Sequence, residues 1–147
     1  MIGDYGLYTR GGVITERNAD YATIRLRIPG GVLSAAQVKR LAEISDEYGD
    51  GTLHLTMRQT AEIPHVNPDD LEKIAEVLEK NGTPIGAEQN EVVNIMACPG
   101  TERCKYANCE TIELARKVDA RVFGRELPIR LRIAISGCVH VQQPTSQ

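Results

Sequence analysis

Between residues 21 and 97 the apolar pattern alternates between a two-residue and a 3.6-residue period, and the order of those changes constrains the fold more than any other feature. From Tyr21 to Ile28, residues Ala22, Ile24, Leu26 and Ile28 alternate with Thr23, Arg25 and Arg27, as in a half-buried strand ended by Pro29-Gly30-Gly31. Ser34 with Gln37 forms a capping box, and Val38, Leu41, Ile44 and Tyr48 then recur at helical spacing up to Gly49. Thr52 to Arg58 alternates again, and a second strand from about Thr60 to His65 follows closely enough for a hairpin. Asn67-Pro68-Asp69-Asp70 starts a second helix carrying Leu71, Ile74, Ala75 and Leu78 to the Asn81-Gly82 stop. A last apolar run, Val92 to Ala97, closes the series.

This β-α-β-β-α-β order predicts an α+β fold, the ferredoxin-like split βαβ, over residues 21–97. Residues 1 to 20 carry Gly3, Gly6, Gly11 and Gly12 without a clear period and read as an irregular arm. A short cysteine-containing α/β segment follows over 98–147. Its helix runs from roughly Glu110 to Phe123, and its strand from Ile129 to Ile135 alternates aliphatic residues with Arg130 and Arg132. A chain of 147 residues can bury one substantial core, so the second segment is expected to dock on the first.

Charge and hydropathy narrow the function classes. A net charge of −3 argues against a general affinity for nucleic acid or anionic lipid, and no apolar run is long enough for a membrane span. Met1 to Arg10 lacks a basic segment followed by an apolar one, which makes the cytoplasm the expected location. In a reducing compartment four cysteines read as metal ligands or catalytic thiols rather than as disulfides. Cys98, Cys104 and Cys109 fall within twelve residues, and Cys138 follows. The Pro99-Gly100 pair beside Cys98 lets the backbone wrap a bound cluster, and thiolates are the ligands of iron-sulfur clusters. Ordinary buried thiols are the competing reading. Zinc is a weaker one, because neither a CxxC pair nor a Cys2His2 pattern is present.

Arginine supplies 12 of the 17 cations. Arg25 and Arg27, Arg58, and Arg130 and Arg132 each fall on the polar face of a strand whose other face is aliphatic, so a shared cleft would bring their guanidinium groups to one volume suited to a small oxyanion. A solvated face of salt-bridged arginines is the alternative. His54 shares the face of Arg58, and His65 beside Pro64 reads as a loop residue.

Four segments in register resemble the nitrite and sulfite reductase family, the siroheme and 4Fe-4S enzymes. Ile24-Arg25-Leu26-Arg27-Ile28-Pro29-Gly30-Gly31 is similar to the family's R-x-R-[LI]-P-G-G strand and turn, and Leu55-Thr56-Met57-Arg58-Gln59-Thr60 to its L-T-x-R-Q segment. Cys98 and Cys104 match its C-x5-C pair, and Leu127-Pro128-Ile129-Arg130-Leu131-Arg132 running into Ser136-Gly137-Cys138 resembles L-P-x-K-x-K … S-G-C.

The resemblance implies a ferredoxin-like half domain followed by the start of a 4Fe-4S and siroheme domain. It assigns Arg27, Arg58, Arg130 and Arg132 to substrate binding and catalysis, and Arg25, Arg27, Thr56, Arg58 and Gln59 to holding siroheme. Cys98, Cys104 and Cys138 would be cluster ligands. The activity implied is six-electron reduction of sulfite or nitrite with a donor such as a ferredoxin, the cluster passing electrons to siroheme, in a homodimer that rebuilds the paired halves of larger members.

Two departures from the family pattern accompany the match. The position of the last cluster cysteine is Gln142, which leaves Cys109 and His140 as candidates for a fourth ligand, and arginines stand where the family has proton-donating lysines. The chain ends at Gln147, short of the family's full cofactor domain. A cluster-only electron carrier, or a tetrapyrrole-binding homologue without turnover, is therefore the alternative function.

Overall fold

In a computed structural model, which describes residues 7–140, four strands form one antiparallel sheet in the order β1-β2-β4-β3. They are β1 (Val13–Thr15), β2 (Ala22–Arg25), β3 (His54–Leu55) and β4 (Ala61–Val66), preceded by a single helical turn, α1 (Leu7–Arg10). The helices α2 (Ala35–Tyr48) and α3 (Leu71–Lys80) pack on one face. The Ser34–Gln37 capping box is present in both directions, and the Asn67 side chain caps the turn that leads into α3. Ile24, Ile44, Ile63, Ile74 and Leu78 have no exposed surface and form the first core with Leu41 and Val66.

Two expectations about strands change. Part of the arm is ordered: β1 pairs with β2 across Val13↔Ile24. Only glycine permits this path at Gly12, since a Cβ there would stand 2.7 Å from Ile85 Cγ2 and meet the Gly86 carbonyl more closely still. The apolar run from Val92 does not join that sheet. It ends in β5 (Met96–Ala97), paired in parallel with β6 (Ala134–Ile135), and Val93 and Met96 donate backbone hydrogen bonds to Leu131 and Ile133. Val92, Val93 and Ile95 are all buried, so the run behaves as an interior strand. Residues 84–86 lie beside the end of the first predicted strand, where Arg27 N donates to the Pro84 carbonyl and Leu26 pairs with Ile85.

A second core of Val92, Ile95, Ala97, Ile112 and Ala115 joins β5 to α4 (Thr111–Val122). Pro29-Gly30-Gly31 forms the seam between the two cores. Gly30 takes φ +71° and its backbone donates to the Ile95 carbonyl; a Cβ there would sit 2.9 Å from Ile112 Cδ1. Among the described residues no helix is long and apolar enough to cross a membrane.

Candidate functional site

The turn between β3 and β4 carries Thr56, Arg58 and Gln59. Gln59 adopts φ +57°, a left-handed conformation that a non-glycine residue holds only when its surroundings fix it. Here the Gln59 amide bonds both ways with Ala97, accepting from its N–H at 2.8 Å and donating to its carbonyl at 2.9 Å. Thr56 N donates to the Thr60 carbonyl, and Thr56 Oγ1 accepts from Arg58 N. Asn94, buried in the Val92–Ala97 run, accepts from Ile28 N at 2.7 Å and donates to the carbonyls of Ile28 and Arg58. The Arg58 turn is thus fastened to the R-x-R strand and to the strand leading to Cys98.

The five arginines occupy different environments. Arg25 donates to Glu62 through Nε at 2.7 Å and through Nη2, and its Nη1 lies 3.4 Å from Glu88. Arg27 is 1% exposed, the largest fully buried side chain of the described residues. Its Nε and Nη2 lie 2.8 and 2.6 Å from Asp119 Oδ1, its Nη1 donates to the Val92 carbonyl, and its guanidinium stacks 4.7 Å over the Phe123 ring. In this structure Arg27 ties the segment after β2 to α4 rather than opening on a cleft.

Arg58 is half-buried, with Nη2 donating to the Asn94 carbonyl and Nε buried without a partner. Burial holds its pKa below the ordinary guanidinium value. Glu88 offsets part of that effect, and Arg132, Arg130 and Arg27 add to it by repulsion. Arg58, Arg130 and Arg132 therefore share one positive field, and Arg130 is fixed beside it by donating to the Glu88 carbonyl at 3.3 Å. His54 is turned to Glu62, with Nδ1 2.8 Å from the carboxylate.

The thiols lie on one unit of loop and strand. Cys98 follows β5 and its N–H donates to the Ile135 carbonyl, while Gly137 N donates to Cys98 Sγ at 3.3 Å. Burial raises the Cys98 pKa, but the backbone N–H groups of Gly100 and Gly137 and the hydroxyls of Thr111 and Ser136 outweigh it and hold the thiol below its ordinary value. Cys104 is half-buried, Cys109 is exposed, and Cys138 pairs with Ala107 across an isolated bridge. His140 sits edge-on against Tyr106, while Gln142 lies outside the described residues. Among the described residues no three His, Cys, Asp or Glu side chains are close enough together to hold a metal ion. Donor chemistry at Cys98 fits a thiolate-bound cluster, with N–H groups already aimed at sulfur; the four thiols share a unit without forming a coordinating group. The convergent cations and the orphan Arg58 Nε fit an anionic or carboxylate-bearing partner.

Sequence reasoning missed Asn94, Glu62, Glu88 and Asp119. Two left a trace: Asn94 interrupts an apolar run, and Asp119 continues the Ile112, Ala115 spacing on the buried face of α4. Glu62 and Glu88 left none, because their partners come from distant segments.

Fold and site together define an α+β half domain in which the segment leading to Cys98 lies against the turn that carries Arg58 and Gln59. Residues 14–81 match the model of the nitrite/sulfite reductase ferredoxin-like half domain, and over these residues the chain is similar to that family. It is 31% identical over 131 residues to an anaerobic sulfite reductase subunit of Salmonella typhimurium, covering 80% of this chain and 38% of that protein. The chloroplastic ferredoxin–nitrite reductase of Zea mays is 31% identical over 132 residues, covering 86% of this chain and 23% of that one. The NirA protein of Mycobacterium tuberculosis shares the fold, with a TM-score of 0.72 at 22% identity over 84% of this chain and 24% of that one. The chain spans less than half the length of the curated relatives it matches.

Proposed function

We propose that this chain is a half-domain component of a sulfite or nitrite reductase, binding a 4Fe-4S cluster and siroheme and presenting an arginine-lined site to a small oxyanion. The observation that carries this reading is that Arg58, whose Nε is buried without a partner, lies within the repulsive field of Arg130 and Arg132. A merely solvated arginine face would leave no such donor buried. Cys98, Cys104 and Cys138 would hold the cluster, with Cys109 as the fourth thiolate, and residues 98–147 would begin the cofactor-binding unit.

When bound, the cluster and siroheme would relay electrons from an external donor to the oxyanion. The chain's own residues hold and polarise it. Arg58, Arg130 and Arg132 offset its charge, and their N–H groups stabilise the oxygens as they take up protons and leave as water. Arg25 and Arg27, held by Glu62 and by Asp119, stiffen the strand behind the site, Thr56 and Gln59 fix the turn, and siroheme carboxylates would share the cations of Arg58, Arg130 and Arg132.

The relatives named a sulfite reductase subunit and a ferredoxin–nitrite reductase support sulfite or nitrite as substrate and a ferredoxin as donor. A homodimer in the cytoplasm completes the reading, with no nucleic-acid or membrane partner. The loss of a cysteine at Gln142 favours one alternative, an iron-sulfur electron carrier or tetrapyrrole-binding homologue without turnover. Anaerobic reconstitution with iron and sulfide tests the cluster: bound iron, acid-labile sulfide and protection of Cys98 from alkylation are expected. Zinc uptake with neither iron nor sulfide would overturn it.

A further inference from the structure

The Glu88 carboxylate stands among the arginines of the site, 3.4 Å from Arg25 Nη1, where its charge opposes the effect of burial on Arg58, and it is fixed in place. Its N–H donates to the Arg10 carbonyl at 2.7 Å, its own carbonyl accepts from Arg130 Nη1, and its side chain is 14% exposed. The turn after α1 lies close, since a Cβ on Gly11 would stand 3.2 Å from Glu88 Cβ. Its carboxylate is only partly neutralised. The nearest cation, Arg25, gives its two shortest contacts to Glu62 and reaches Glu88 at 3.4 Å. The charged groups around it are therefore Arg25, Arg58 and Arg130, with Glu62 on the far side of Arg25 and His54 beyond Glu62.

We propose that Glu88 sets the charge selectivity of the arginine site, disfavouring doubly charged oxyanions relative to singly charged ones. The inference rests on the oxyanion reading above and adds the residue that selects among anions. A fixed carboxylate among cations relieves their mutual repulsion. It also repels an incoming anion with an energy proportional to that anion's charge, so the factor it imposes on a dianion is the square of the factor on a monoanion. At a separation of several ångströms in a largely aqueous dielectric, one unit charge amounts to about 3-fold for a monoanion and hence about 10-fold for a dianion.

Calorimetric titration of the full chain at low ionic strength, with nitrite as the monoanion and sulfate as the dianion, tests the proposal. Glu88→Gln keeps the shape and both backbone hydrogen bonds, and should tighten nitrite about 3-fold and sulfate about 10-fold. Glu88→Asp keeps the charge and should retain the wild-type ratio of affinities, which a purely packing role for the side chain would not produce. Equal factors for the two anions in Glu88→Gln, or none, overturn the inference if Arg58→Ala still weakens both. If Arg58→Ala leaves both affinities unchanged, the oxyanion reading itself fails.

Discussion

Replacing Asp119 with alanine removes the carboxylate bonded to the buried Arg27 guanidinium. Nε would lose the acceptor it bonds at 2.8 Å and Nη2 the carboxylate charge 2.6 Å away, leaving a cation 1% exposed with the Val92 carbonyl and the face of Phe123. Breaking a buried pair from one side costs about 3–5 kcal/mol. The Asp119 side chain is 12% exposed, so some water can enter the space, and the lower end, about 3 kcal/mol, is expected. For a chain of this size that corresponds to a fall of roughly 10 °C in the unfolding midpoint. Urea unfolding followed by circular dichroism measures it. Arg27→Met with Asp119→Leu exchanges the pair for apolar groups and should recover most of the loss, because the penalty comes from the stranded charge. A loss below about 1 kcal/mol, or a double variant no more stable than Asp119→Ala, would refute the reasoning.

Two further outcomes follow from the same contacts. In the folded protein Glu62 titrates below the ordinary glutamate range: burial raises its pKa, but Arg25 and His54 outweigh burial. The folded state therefore binds fewer protons there than the unfolded one, so this stability is complete above the unfolded pKa of about 4.3 and disappears as pH falls through the lower folded value. Urea midpoints measured down through this range should fall more steeply for the wild type than for Glu62→Gln, and parallel curves would contradict the assignment. Gly100→Ala places a Cβ 2.5 Å from Thr111 Oγ1 and 2.7 Å from Thr111 N at φ +61°. It should cost at least about 2 kcal/mol in thermal unfolding and move the alkylation profile of Cys98 to higher pH, since the Gly100 N–H helps to hold that thiol low. An unchanged profile in a folded Gly100→Ala protein would remove Gly100 from the thiol's environment.

The helices and the central hairpin were legible because their signals are local. The Ser34–Gln37 box, the Asn67-Pro68 start and the alternation around Ile24 and Ile63 each act within a few residues. The pairing of Val13–Thr15 with β2 was not, because it depends on Gly12 lying against residues 85 and 86, more than seventy positions away. The apolar run from Val92 reads as the closing strand of the first sheet, but nothing in its composition says which sheet it enters. Within the candidate site, the motifs point to Arg58, Gln59 and Cys98. They did not show that Arg27, alternating with Arg25 on one strand, turns inward to a helical aspartate whose partner is set by tertiary packing. Charge partnership at long range is the part of the site that only the fold displays.

The central claim, a thiolate and tetrapyrrole redox site beside an arginine-lined turn, is tested most directly by the absorption spectrum of the anaerobically reconstituted full chain, read with its iron and acid-labile sulfide content. A broad cluster absorption is expected together with a Soret and a visible tetrapyrrole band, the latter shifting when sulfite or nitrite is added. A colourless protein with four alkylatable thiols and no retained tetrapyrrole would contradict it.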